Sequence, residues 1–238
     1  MDADEYKFDY FKYSLRLNQE ILNNYKYANC LKIDLKDENL NIDHMIDLRY
    51  LHITQGEEYE FDEEFIEKLT YLQKLSIHSN SGIKSLNHLT NLKKLCFLYS
   101  FYCEIDNSCV KNLSQLEKLE IRCIYESPNF NHMTNLKKLY VGNRCRVNAE
   151  SIKNLTKLEK LSICIRDDID ITNLNHMTNL KVLHMDNFDE EEARTLIDDE
   201  GIKNLTLLKE LRIIKARNIT NLNHMTNLKM LDIIGIPI

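Results

Sequence analysis

Glycine and proline are nearly missing from this chain, with five and two copies in 238 residues. Varied tight turns and long irregular loops draw on both residues, so a sequence this poor in them must reuse one simple turn many times. There is no run of eighteen apolar residues, and the chain opens on the acidic, aromatic stretch MDADEYKFDYFKYS. Neither a membrane-spanning helix nor a basic-then-apolar leader is predicted, and the expected compartment is the cytosol. C-x-x-C is absent too, and the seven cysteines, at 30, 96, 103, 109, 123, 145 and 164, form an odd set. Reduced structural thiols are expected in place of a disulfide framework or a zinc knuckle. An excess of positive charge is lacking, the formal net charge being −6. This argues against nucleic acid as the main partner, because phosphate binding needs a basic surface. No G-x-S-x-G, P-loop, G-x-G-x-x-G or paired-carboxylate pattern is present. No catalytic residue, cofactor or metal site is therefore assigned, and enzymatic activity is not expected.

What the chain does have is a repeat. The phrase IDHMIDLRYL from 42 recurs as LNHLTNLKKL from 86, FNHMTNLKKL from 130, LNHMTNLKVL from 174 and LNHMTNLKML from 222. A second phrase alternates with it: FIEKLTYLQKLSI from 65, CVKNLSQLEKLEI from 109, SIKNLTKLEKLSI from 151 and GIKNLTLLKELRI from 201. Take the last leucine of each unit as position 0: Leu51, Leu75, Leu95, Leu119, Leu139, Leu161, Leu183, Leu211 and Leu231. Positions −9, −6, −3, 0 and +2 are then apolar in all nine units. A weaker tenth unit fits at Leu22, Tyr25, Ala28, Leu31 and Ile33. Spacings of three match a tight helical or 3₁₀-like turn, and the closing spacing of two is the period of a strand.

A strand plus a short helical turn every 20 to 28 residues, with L-x-x-L-x-L at the strand, resembles the leucine-rich repeat. The units reading I-T-N-L-N-H-M-T-N-L resemble the internalin-type repeats in particular. The resemblance implies an α/β solenoid of about ten rungs, with a parallel concave sheet and short helical or 3₁₀ convex turns. Residues 21–238 are assigned to the repeat domain and residues 1–20 to an amphipathic N-terminal cap. The repeats, set in a sequence heavy in Asn, Ile and Lys, also look like the leucine-rich-repeat gene families of large DNA viruses or of protists. That likeness implies a host-interaction role. The family's usual asparagine five residues after position 0 is kept only at Asn80, so less regular turns are expected than in a consensus array.

His44, His88, His132, His176 and His224 recur at position −7 of alternate units. Equivalent residues two rungs apart stand roughly 10 Å from each other, too far to share one zinc ion. These histidines are expected to face outward on the convex side, in a structural or solvated role. Asn112, Asn154, Asn204 and Asn218 open N-x-S/T triplets, which are taken as turn residues and not as glycosylation signals.

Side chains at −1, +1 and +3 should point to the concave face, alternating with the buried leucines. Position −1 holds Lys74, Lys94, Lys118, Lys138 and Lys160 in five consecutive units, a column of like charge. Positions +1 and +3 vary, with Cys96, Glu120, Tyr140, His184 and Arg212 at +1, Leu98 and Arg122 at +3, and Tyr99 beside them. A spine repeated from unit to unit and a face that varies between units together suggest a non-enzymatic module that binds a partner protein on its concave side. Two other readings stay open: a substrate adaptor of a ubiquitin ligase, and an anion or nucleic-acid binder acting through the lysine column. Acidic insertions near 57–67 and 186–200 are expected as solvated loops or partner-specific knobs. The last unit, LDIIGIPI, shows no cap, and a homodimer contact there is expected.

Overall fold

The computed structural model describes residues 19–24, 27–35, 41–55, 63–78, 83–98, 107–122, 128–143, 147–165, 171–187, 196–214, 216 and 218–234. Ten strands run in chain order: β1 (Cys30–Leu35), β2 (Tyr50–Gln55), β3 (Lys74–His78), β4 (Lys94–Phe97), β5 (Lys118–Ile121), β6 (Lys138–Asn143), β7 (Lys160–Ile165), β8 (Val182–Asn187), β9 (Glu210–Ile214) and β10 (Met230–Ile234). All pair in parallel with their sequence neighbours in one sheet, so the chain is a solenoid that adds one rung per repeat. The register matches position 0 to position 0 throughout, for example Leu95↔Leu119 and Leu139↔Leu161. The tenth unit is real, with Leu31 opposite Leu51 and Ile33 opposite Ile53.

Why apolar residues recur every three is visible in the turn. Leu113 N–H donates to Val110 O at 3.1 Å and Leu116 N–H to Leu113 O at 3.2 Å, the i→i+3 pattern of a 3₁₀ turn. The same two bonds close every rung from Ile42–Leu48 to Leu222–Leu228. Residues three apart eclipse in that geometry, so one apolar spine points inward along the turn before the strand takes over. In the rung ending at Ile121, Val110, Leu113, Leu116, Leu119 and Ile121 are all at most 1% exposed. Each such burial contributes about 1.5–3 kcal/mol before entropy is charged against it. Short helices decorate some turns: α1 (Gln19–Asn24), α2 (Ala149–Ile152) capped by Asn148, α3 (Asp199–Ile202) capped by Asp198, and a 3₁₀ helix at Glu63–Ile66.

Rungs are also stitched through backbone. The N–H groups at −2 and −1 both donate to the carbonyl at −2 of the preceding rung, as Glu117 and Lys118 do to Lys93 O at 2.8 and 3.0 Å.

One expectation needs correction. The last rung is not a buried spine like the others: Leu231 is 52% exposed, although Met225 is only 4% exposed. A solenoid rung is covered by its neighbours, and among the described residues β10 pairs on one side only.

Of the two roles expected for the repeated histidines, structural or solvated, four of them take the structural one. Nε2 of His88, His132, His176 and His224 lies 3.0–3.2 Å from the carbonyls of Ile66, Val110, Ile152 and Ile202, each in the preceding rung. With Nε2 protonated, each ring donates to a turn carbonyl. Asparagine at −4 does likewise: Asn91, Asn135, Asn179 and Asn227 donate from Nδ2 to Thr70, Ser114, Thr156 and Thr206 O, at 3.0 or 3.1 Å. Asparagine at −8 clamps the following rung instead. Asn131 Nδ2 donates to Glu150 O at 2.8 Å while its Oδ1 accepts from Asn154 N–H at 3.0 Å, and Asn87 and Asn175 repeat the pair. One N-H-x-T-N phrase thus grips both neighbours, so it is needed only in alternate rungs.

The 1–20 cap lies outside the described residues up to residue 18, as do Asn80, the bulk of the 57–67 insertion and residues 188–195 of the second one.

Candidate binding surface on the concave face

Strand pairing brings the lysine column into one row: Lys74↔Lys94, Lys94↔Lys118, Lys118↔Lys138 and Lys138↔Lys160 are direct partners. Lys94 and Lys138 are exposed, and Lys74, Lys118 and Lys160 are half-buried. Partial burial pushes the Lys94 ammonium below its usual range, and repulsion from Lys74, Lys118 and Lys138 adds to it. At the near end of the row, the Lys74 ammonium sits over the Tyr50 ring, 4.3 Å from its centroid.

Beside the row is a buried charge. Glu120 is 6% exposed, with Oε1 2.9 Å from an Arg122 terminal nitrogen and 3.1 Å from its Nε, and Oε2 3.5 Å from Lys118 Nζ. A carboxylate so withdrawn from water needs these cations. Glu120 therefore positions Lys118 and Arg122 and offers a partner little of itself. The Arg122 guanidinium in turn lies over the Tyr140 ring at 4.6 Å. Gly142 leaves room for this pair, since a Cβ there would come within 3.1 Å of Tyr140 Cε1 and 3.4 Å of Arg122 Cγ. Burial pushes the Tyr140 hydroxyl up and keeps it protonated.

Several predicted contact residues take other places. Leu98 is 5% exposed, so it joins the covered interior instead of anchoring a partner. Tyr99 lies outside the described residues. Cys96 is half-buried, and burial, followed by the Glu120 charge, pushes its thiol up to about 12. Cys164 is pushed up to about 11 by burial and then by Asp186. Both stay protonated near neutral pH and are poor nucleophiles.

Past β7 the face changes sign. Position −1 becomes Val182, Glu210 and Met230, and Arg212 Nε is held 3.0 Å from Asp186 Oδ1 and 3.5 Å from Asp232 Oδ2. His184 Nε2 stands 3.6 Å from Glu210 Oε2, and burial lowers the ring's basicity. Lys74, Lys94, Lys118, Lys138, Lys160, Arg122 and Tyr140 are thus brought together, while His184 and Arg212 belong to a separate, self-paired cluster. Sequence reasoning did not single out Gly142, Asp186 or Asp232. The available signal was opposite charges at +1 and +3 in adjacent units.

Among the described residues, no group of three or more His, Cys, Asp or Glu could hold a metal ion, and no helix is long and apolar enough to cross a membrane.

No protein-family model and no curated protein matches the chain. Solved structures do. A leucine-rich-repeat protein of Leptospira interrogans aligns at TM-score 0.63 and 19% identity over 94% of this chain and 66% of its own. An internalin of Listeria monocytogenes aligns at 0.56 and 18%, over 91% and 69%. The receptor TLR13, solved in complex with ssRNA13, aligns at 0.61 and 20%, over 91% of this chain and 33% of its own. The chain thus spans about two thirds of the two bacterial proteins, and none of these likenesses supports a viral or protist origin. At such identities the likeness concerns architecture alone. With ten parallel strands in sequence order and the same 3₁₀ turn in every rung from Ile42 to Leu228, the fold is that of a leucine-rich-repeat solenoid.

Proposed function

We propose that the chain is a recognition module that binds a partner protein across the concave face of β3 to β7 and carries out no catalytic step of its own. The observation that carries this reading is the row of five lysines in strict register, two of them exposed, beside the Glu120–Arg122–Tyr140 cluster. Like charges set one strand apart are costly unless water or an acidic surface compensates them. High-pKa thiols and a buried carboxylate, Glu120, already paired with Arg122 also fit binding better than covalent or acid–base chemistry. A reducing compartment such as the cytosol suits the thiols of Cys96 and Cys164. A host-facing role would fit the same surface.

The test is co-purification from native cells by the wild-type chain and by a Lys94→Glu, Lys118→Glu, Lys138→Glu variant. Partner recovery unaffected by the triple reversal would remove this face from the reading. An anion or nucleic-acid binder is the second reading, favoured by the same row; retention on heparin that does not respond to salt would remove it. Contact between two copies through β10, where Met230 and Leu231 are exposed, is also proposed. A monomer mass that does not change with concentration would exclude it.

A further inference from the structure

We propose that the lysine row of β3 to β7 seats an α-helix bearing a file of carboxylates on one face, laid across the strands along the solenoid axis. The proposal rests on the concave face being the partner-binding surface, and adds the shape and chemistry of what sits there.

Three observations select this occupant. The first is a contrast between neighbouring rows. Position −2 over the same strands reads Gln73, Lys93, Glu117, Lys137 and Glu159, with Lys181 next in the β8 rung, and its charges alternate and pair: Lys137 Nζ is 3.0 Å from Glu117 Oε2 and Lys181 Nζ 2.7 Å from Glu159 Oε2. A row needed only for solubility would take that alternating form. Position −1 keeps one sign through five rungs, and the lone carboxylate at +1, Glu120, is shared by Arg122 at +3 and Lys118, so this face keeps a clear positive excess.

The second observation is pitch. Parallel strands place successive lysines about 4.8 Å apart, so the row is roughly 19 Å long. Carboxylates on one face of an α-helix recur about every 5.4 Å, and four turns cover about the same length. In an extended peptide laid the same way, residues facing one side are roughly 6.7 Å apart, and only about three would meet the row.

The third is the row's limits. Tyr50 closes it at one end, under the Lys74 ammonium. At the other end Val182 replaces lysine, and Glu210, Asp186 and Asp232 outnumber Arg212 on the face that follows. A long polyanion such as duplex nucleic acid would be driven over this acidic stretch, whereas a helix of about four turns ends before it.

The experiment uses the full chain and a fluorescent, side-chain-stapled helical peptide of about sixteen residues with Glu at i, i+4, i+7 and i+11. Comparison probes are a proline-interrupted isomer of the same composition and a thymidine oligonucleotide of equal charge, all measured by fluorescence anisotropy at low salt. The stapled helix is expected to bind best. Its affinity should fall at least about tenfold in K94E/K138E, in part in K94Q/K138Q, and not at all in K209E/K229E, with circular dichroism confirming the fold of each. Equal or tighter binding of the isomer or of the oligonucleotide overturns the proposal, as does an affinity indifferent to K94E/K138E, or no binding of the stapled helix at all. The broader reading fails separately, if the triple reversal leaves native partner recovery unchanged.

Discussion

Replacing Gly201 by alanine sets two simple expectations against each other. Gly201 lies in α3, in helical backbone, where alanine is ordinarily favoured over glycine by about 0.5–1 kcal/mol. Propensity alone therefore predicts a more stable protein. Space predicts the opposite: a Cβ at Gly201 would overlap the carbonyl oxygen of Thr172 in the preceding rung, and would stand 3.1 Å from both Thr172 C and Ile197 Cγ1. The obstructing group is backbone and cannot rotate away, so the two rungs must part. That would strain the bond from Leu174 N–H to Gly201 O, 2.8 Å long, which ties the same segments. Overpacking of this kind costs about 1–3 kcal/mol, which exceeds the helical gain and leaves a net loss of roughly 1–2 kcal/mol. With an m-value of about 3 kcal/mol/M, the urea midpoint should drop by about 0.3–0.7 M. Ser151 holds the equivalent place in α2, and S151A is the control. It removes only the capping-box bonds to Asn148, at 2.7 and 3.2 Å, and should cost about 1 kcal/mol without parting the rungs. Hydrogen exchange in G201A should rise first in β8 and β9, since a solenoid passes strain only to adjacent rungs. An unchanged or raised urea midpoint for G201A would refute the close approach of Gly201 to Thr172.

Three further outcomes are expected. E120A strips Lys118 and Arg122 of a carboxylate whose side chain is 7% exposed while theirs are about a quarter exposed; a loss of roughly 2–3 kcal/mol should appear in urea unfolding, and a thermal midpoint equal to wild type would show Glu120 to be solvated. N131A removes two bonds to the following rung and should cost about 1–2 kcal/mol, whereas N223A, at a position with no following rung among the described residues, should be near neutral; equal costs would sink the clamp. His52 is held down at about 4, first by burial and then by His78 and Lys32, below its unfolded value of 6.5. The unfolded chain then binds the extra proton between those values, so stability should decline as pH falls from about 6.5 towards 4, and H52Q should flatten this part of a urea-midpoint profile.

Much of this architecture was legible in the letters. Spacings of three, three, three and two determine a 3₁₀ turn followed by a strand, because only inward-facing positions must be apolar and the two geometries repeat at those periods. Leu75, Leu95 and Leu119 then fall into register, and with them Lys74, Lys94 and Lys118, since strand pairing moves all side chains of a rung together.

What only the tertiary structure decided concerns groups whose partners lie 20 or more residues away in sequence. His132 could be structural or solvated by its sequence, because nothing near it explains it; its ring meets Val110 O across a rung boundary. Leu98 looked available and is covered, and Glu120 looked like a surface contact and is a buried hub for two cations. Leu231 fits the spine pattern as well as Leu211 does, yet it is half exposed, because burial in a solenoid comes from the adjacent rung. The sequence by itself determined which residues face inward, a local property of turn and strand. The stacking of rungs decided which polar atoms meet and which apolar ones stay wet, because those depend on neighbours that the repeat unit does not contain.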